Sequence, residues 1–219
     1  MTVADSPRPS YAILVAVSAV GPLALNIFIP SLPGLQQEFG VSYGVAQLTL
    51  TLYLIGMAAC QLVYGPISDR AGRRPMLLLG LALFVVASLA AALAPDIHVL
   101  IAARLLQAVG GSAGIVLARA MVRDVYDRET SASVISYITM AFVVAPMVAP
   151  VMGGYIDAHG GWRMGFWLLT VLGAVVLAAA WFHLPETHVR RAERGAGLGL
   201  VSGAARLIAL LRFRGYTLR

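Results

Sequence analysis

The sequence predicts an all-α integral membrane protein with six transmembrane helices, and three observations carry that expectation. Hydrophobic residues fill 59% of the 219 positions and charged residues only 12%, at a mean hydropathy of +0.83. That leaves too little polar surface to cover a soluble globule. The charges cut the chain into uncharged runs at 9–37, 39–68, 75–95, 130–156 and 164–185, and each reaches the roughly 20 residues that cross about 30 Å of hydrocarbon. The basic residues are all arginine and gather at alternate junctions between runs, as loops on one side of a membrane require. A β-barrel would instead alternate polar and apolar residues along each strand.

Six spans follow in order, at 11–32, 44–64, 76–94, 98–118, 133–156 and 163–183. The first follows a ten-residue N-terminus with a single arginine, and its apolar run is too long for a signal-peptide core, so it is expected to be retained. The second runs into GPISDRAGRRPM, the densest polar cluster in the apolar part of the chain, and the third starts beyond it. The fourth, in the run 97–118, is interrupted by Arg104. The fifth contains Pro146 and Pro150, each lacking a backbone donor, so a kink is expected there. The sixth ends at His183, beyond which 184–219 reads as a linker and 198–215 as an amphipathic helix at the headgroups.

Arg8, then Arg70, Arg73 and Arg74, then Arg119, Arg123 and Arg128, then seven arginines from Arg190 onward fall on one side. Only Arg163 falls on the other, and Arg104 lies within a span. By the positive-inside rule both termini, residues 1–10 and 184–219, are cytoplasmic. The net charge of +6 is then topological; nucleic-acid binding would need a solvent-facing basic stripe. Cys60 is the single cysteine, which excludes an intramolecular disulfide and a thiolate metal cluster. His98, His159, His183 and His188 have no metal-site spacing. No nucleotide-binding, serine-hydrolase or zinc-protease motif is present, so neither an enzyme nor a cofactor is expected.

Gly65, Asp69 and Gly72 recur 88 positions later at Gly153, Asp157 and Gly160, with Arg73 and Arg163 following. The first copy lies where span two leaves the membrane, the second where span five leaves it on the opposite side. Spans one to three and four to six thus read as two copies of one unit in opposite orientation, a 3+3 inverted repeat.

These residues also carry a family resemblance. Gly65 to Arg74, GPISDRAGRR, resembles the signature loop between helices 2 and 3 of the major facilitator superfamily, G-x-L-a-D-r-x-G-r-r/k. Arg104 to Gly110, RLLQAVG, resembles that superfamily's helix 4 motif R-x-x-Q-G-x-G, with Ala108 in place of a glycine. Ala145 to Gly154, APMVAPVMGG, resembles its antiporter motif; Pro150, Gly153 and Gly154 match, while Ala145 and Ala149 replace glycines. NIFIPSLP at 26–33, ARAMVRDVY at 118–126 and FRGYTL at 213–218 are similar to the bicyclomycin and chloramphenicol resistance (Bcr/CflA) drug exporters. The resemblance implies the N-terminal six-helix bundle of a twelve-helix major facilitator fold, in a bacterial inner membrane. It further implies proton-coupled export of small amphipathic drugs by alternating access, driven by the proton gradient. A C-terminal six-helix half, protons, drug substrates and the lipid bilayer would be the partners.

Each candidate residue has a structural and a functional reading. Arg104 lies about six residues into its span, roughly 9 Å deep at 1.5 Å per residue, and a buried arginine costs roughly 2.5 to 3.5 kcal/mol. It shares a face of small and polar residues with Gln107, Ala108, Gly111, Gly114 and Ala118, suited to a cavity or a close helix contact. The resemblance places Arg104 at the central cavity, in coupling or substrate binding; the alternative is snorkelling to the headgroups. None of the ten acids lies deep within a span, and Asn26 stands where the resembled exporters commonly carry an aspartate. The proton-carrying acid is then in the other half, or coupling differs, or the chain does not transport.

Asp69 and Arg73 are four apart at a helix end and can pair. The resemblance makes Gly65, Asp69, Gly72 and Arg73, with Asp124, a latch of the inner gate against the other half. Arg70 and Arg74 read equally as topology anchors. Pro146, Pro150, Gly153 and Gly154 shape the rocking interface rather than contact substrate. The rivals to a drug exporter are an importer or metabolite permease of the same fold, and a non-transporting membrane fragment with a scaffold role.

Overall fold

The computed structural model describes residues 9–187, all helix and connecting turns. The expectations for 1–8, for the amphipathic segment 198–215 and for FRGYTL lie outside the described residues. The helices are α1 (Tyr11–Ile27), α2 (Leu32–Phe39), α3 (Tyr43–Ala71), α4 (Arg73–Ala92), α5 (Ile97–Val125), α6 (Arg128–Gly160) and α7 (Trp162–His183), with a 3₁₀ turn at Ile29–Ser31. Among the described residues six segments are long and apolar enough to cross a membrane, the first being α1 and α2 together.

The first span departs from the single helix expected at 11–32. Pro30 and Pro33 withhold backbone donors and restrict the residues before them, so α1 stops at Ile27 and the chain resumes as α2 to Phe39. Gly40, at φ 61°, ends it. The helices of the second, fourth and fifth spans, α3, α5 and α6, extend beyond the expected bounds by up to seven residues. Hydropathy marks the part in hydrocarbon, whereas backbone hydrogen bonding continues into the polar turns. Asp96 caps α5 by accepting from the His98 and Val99 amides at 2.8 and 3.0 Å. Asp127 caps α6 in the same way; hydrogen bonds from the Thr130 side chain and backbone hold its carboxyl below the usual range.

The stretch expected as a loop at 65–74 is mostly helix. Only Gly72 is non-helical, at φ 100°, and α3 turns directly into α4 there. The α6 helix is also continuous through Pro146 and Pro150, so the expected loosening does not break it.

The helix packing has the symmetry of the repeat. With spans numbered one to six, one packs on four and three on six; two on four is matched by one on five, and three on four by one on six. Exchanging the two three-span units maps each contact onto itself or another. Three crossings per unit require the second copy to run in the opposite direction. The echo is offset at its end, since the left-handed break of the second copy is Gly161 (φ 71°) rather than Gly160.

Close approach is bought with small residues. A Cβ on Gly114 of α5 would lie 1.9 Å from the Val17 carbonyl oxygen of α1, and one on Gly153 of α6 would lie 2.0 Å from that of Ile27. Span one is thereby held between spans four and five. Large apolar side chains on α3, α6 and α7, among them Leu62, Val151 and Phe182, remain exposed, as a surface facing lipid or another bundle must.

Candidate functional site

Three regions of the bundle stand out here, two polar and one largely apolar. At the arginine-rich end, Gly72 ends α3 and sets Arg73 as the first residue of α4. Its side chain is only 10% exposed and has several acceptors. Arg73 donates from Nε to Asp124 Oδ2 at 3.0 Å, from one terminal nitrogen to Asp69 Oδ1 at 2.7 Å and from the other to the Ser68 hydroxyl. Its backbone N–H donates to Glu186 Oε1 at 3.1 Å. Asp69, Arg73 and Asp124, grouped as one latch in the sequence, meet within this bundle. Gly72 has a structural duty besides its φ, since a Cβ there would lie 2.8 Å from Glu186 Oε2. Arg74 donates to the Trp181 carbonyl at 2.7 Å, which ties it to α7. Arg70 is exposed. No atom would lie within 4 Å of a Cβ on Gly65, so its face of α3 has no neighbour among the described residues.

The second region is the interior. Arg104 is completely buried, and the structure places it inside the bundle rather than on a face open to a central cavity or reaching the headgroups. The reason is geometric: Gln107, Ala108, Gly111, Gly114 and Ala118, on the same face of α5, are all buried as well, so that face is a helix contact. The guanidinium donates to the Ala24 carbonyl at 3.1 Å and to Gln107 Oε1 at 2.7 Å. Gln107 passes the chain on to the Ser88 hydroxyl at 2.7 Å, which donates to the Phe84 carbonyl. The carbon of the guanidinium lies 4.1, 4.9 and 5.7 Å from the ring centres of Tyr53, Phe28 and Phe166. Desolvated cation–π contacts of this kind are worth about 2 kcal/mol, of the order of the insertion cost. Asn26 lies apart from this network, its amide donating to the Pro22 carbonyl at 2.8 Å one turn back on its own helix. The described acids, among them Glu38, Asp96, Asp124 and Asp157, lie at helix ends or in connections.

The third region is a cavity of about 640 Å³, open to the bundle surface, lined by Tyr11, Ala12 and Val15 of α1 and Ser133, Tyr137, Met140, Ala141 and Val144 of α6. It lies toward the arginine-rich end, where both helices start. Its wall carries no charged side chain, and its volume falls within the roughly 300–1,000 Å³ of small-molecule pockets. On the same helix Pro146 is exposed and Pro150 half-buried. Ala145, Ala149 and Gly153 form the buried stripe, so the two alanines that replace motif glycines lie in a packing seam. Gly154 borders that seam, where a Cβ would meet Pro30 at an ordinary 3.8 Å.

Sequence reasoning missed Glu186, Ser68 and Ser88, the aromatic ring set around Arg104, and the cavity on α6. A capping carboxylate after the last span has no periodic signal. The aromatic set draws on α3, α7 and the turn after α1, which are distant in sequence.

Comparison with known proteins agrees with this architecture. The profile of the Major Facilitator Superfamily matches residues 14–215. The chain is 38% identical to multidrug resistance protein D of Escherichia coli over 83% of its own length and 46% of that protein's. It is 40% identical to a chloramphenicol resistance protein of Pseudomonas aeruginosa over 77% and 41%. With a bicyclomycin resistance protein homolog of Haemophilus influenzae it shares 35% over 78% and 43%. Among solved structures, the human organic anion transporter MFSD10 (TETRAN) superposes with a TM-score of 0.72 at 25% identity, over 93% of this chain and 54% of that one. The chain spans about half the length of the relatives it matches. Helical packing, the Arg73 cluster and these similarities agree that the chain belongs to the major facilitator superfamily.

Proposed function

We propose that the chain forms the first half of a proton-coupled multidrug exporter that works by alternating access in a bacterial inner membrane. Its arginine-rich end is the cytoplasmic one, and both termini lie there. A second six-helix bundle completes the machine, packing on the faces of α3 and α6 that this half leaves bare. The proton gradient supplies the energy and no cofactor takes part. The proton-carrying acid belongs to the second half, because the acids described here lie at the ends of spans and Asn26 is an amide.

The observation that carries the drug reading is the uncharged cavity between α1 and α6. Its apolar wall, with the hydroxyl groups of Tyr11, Ser133 and Tyr137, suits a neutral amphipathic molecule rather than a sugar or a zwitterion, which needs several charged or paired polar partners. The names of the drug-resistance relatives support the same class. Filling the cavity tests it. Ala141→Trp in the complete protein is expected to weaken chloramphenicol binding about tenfold, equivalent to ~1.4 kcal/mol, measured by equilibrium binding to purified transporter. Unchanged affinity would place the drug elsewhere.

A further inference from the structure

The end of the bundle opposite the arginine-rich one carries a cluster built on the plan of the Arg73 cluster. Arg73 opens α4 after the left-handed Gly72, and Arg163 stands second in α7 after the left-handed Gly161. Arg73 meets Asp124 in the last turn of α5, and Arg163 meets Glu38 in the last turn of α2. These are the closing turns of spans four and one, which the repeat exchanges. Glu186, in the segment after span six, accepts from the start of α4; the Ala94 carbonyl, in the segment after span three, accepts from Arg163 at 3.1 Å. The two clusters differ in exposure, the Arg73 side chain being 10% exposed and that of Arg163 39%, and in their further partners. Where Asp69 supplies a second carboxylate to Arg73, Trp162 supplies a second donor to Glu38, its indole N–H reaching Oε2 at 2.6 Å. Arg163 also stacks over the Trp162 ring at 4.2 Å.

Trp162 connects this cluster to the interior. Its ring packs on Phe39 and Phe166 at 5.6 and 6.0 Å, Phe166 packs on Phe28 at 5.1 Å, and both of the latter rings face the Arg104 guanidinium. Ser31, 4% exposed, lies in the seam that Ile27, Phe28, Trp162 and Phe166 close.

We propose that Glu38, Trp162 and Arg163 form a second clasp, which holds the ends of spans one, three and six together over Phe28 and Ser31. Released, it frees α2 and the rings that seat Arg104; closed, it seals that side of the bundle. These are positioning residues. Their part in gating rests on the alternating-access reading, but the clasp itself is testable without transport.

The test uses the complete protein in detergent without drug, carrying Cys60→Ser and Ser31→Cys, and follows labelling by a membrane-impermeant maleimide. Glu38→Gln is expected to raise the labelling rate about tenfold, the scale of a lost charge-assisted hydrogen bond. Trp162→Phe, which keeps the ring and removes the donor, gives a smaller rise, and Asp157→Asn gives none. Amide exchange across 32–39 accelerates in Glu38→Gln. Rates within twofold of the parent in both clasp variants, or unchanged exchange in α2, would overturn the clasp. Loss of drug export with labelling unchanged would count against it too, whereas accelerated labelling with no export in the parent would keep the clasp and reject the transport reading.

Discussion

On the proposed function, replacing Arg104 with methionine in the complete protein is expected to abolish export while leaving the bundle folded. Methionine keeps an unbranched side chain between Tyr53, Phe28 and Phe166 and removes a cation that has no carboxylate partner among the described residues. Removing the ion relieves its desolvation cost but leaves the buried Gln107 Oε1 and Ala24 carbonyl without their donor, a loss of about 1–3 kcal/mol. Thermal unfolding should therefore occur modestly below the parent temperature. Arg104→Ala leaves a hole instead and should cost roughly 3 kcal/mol, as large-to-small changes in packed interiors do. In both variants the proposed drug export is expected to fall more than about tenfold, because the guanidinium joins α1 at Ala24 to Gln107 and, through it, to Ser88 of α4, and fixes the relation of three spans that one half would carry as a unit under the proposed alternating access. Parent-level export by the methionine variant would show the charge to be dispensable.

Arg73→Gln should be the most destabilising single change at the arginine-rich end, at about 3 kcal/mol, because it strands the Asp124 carboxylate, whose side chain is 25% exposed. Asp124→Asn keeps a weaker acceptor and should cost roughly 1–2 kcal/mol. Asp69 is 56% exposed, so Asp69→Asn should cost only a few tenths of a kcal/mol, at a value that salt reduces further. Melting temperatures of the three variants at low and high salt give the order directly. An Asp69 variant as unstable as the Arg73 variant would mean that the exposed pair, rather than the buried one, holds α3, α4 and α5 together.

How much of this could be read from sequence depends on what each signal reports. Hydropathy located six spans because the cost of polar groups in hydrocarbon is large and local, yet it could not find the helix ends at Ala71, Val125 and Gly160, where hydrogen bonding continues into water. The spacing of Arg104, Gln107, Gly111 and Gly114 correctly put them on one face. It could not say what that face meets, and α1, α3 and α4 rather than a cavity cover it. The echo of Gly65, Asp69 and Gly72 pointed to the repeat, whose geometric break in the second copy falls one residue later, at Gly161. Glu38 drew no attention in sequence, because the expected first span stopped at residue 32. Only the proline-broken continuation of α2 carries it to Trp162 and Arg163.

The most direct measurement reconstitutes the complete protein in vesicles of known orientation, loads the compartment facing the arginine-rich end with chloramphenicol and imposes a proton gradient, acidic on the opposite side. Drug is expected to leave the loaded compartment faster with the gradient than without it, with protons moving the other way. Gradient-driven accumulation in that compartment would make the protein an importer, and drug movement indifferent to the gradient would contradict proton-coupled export.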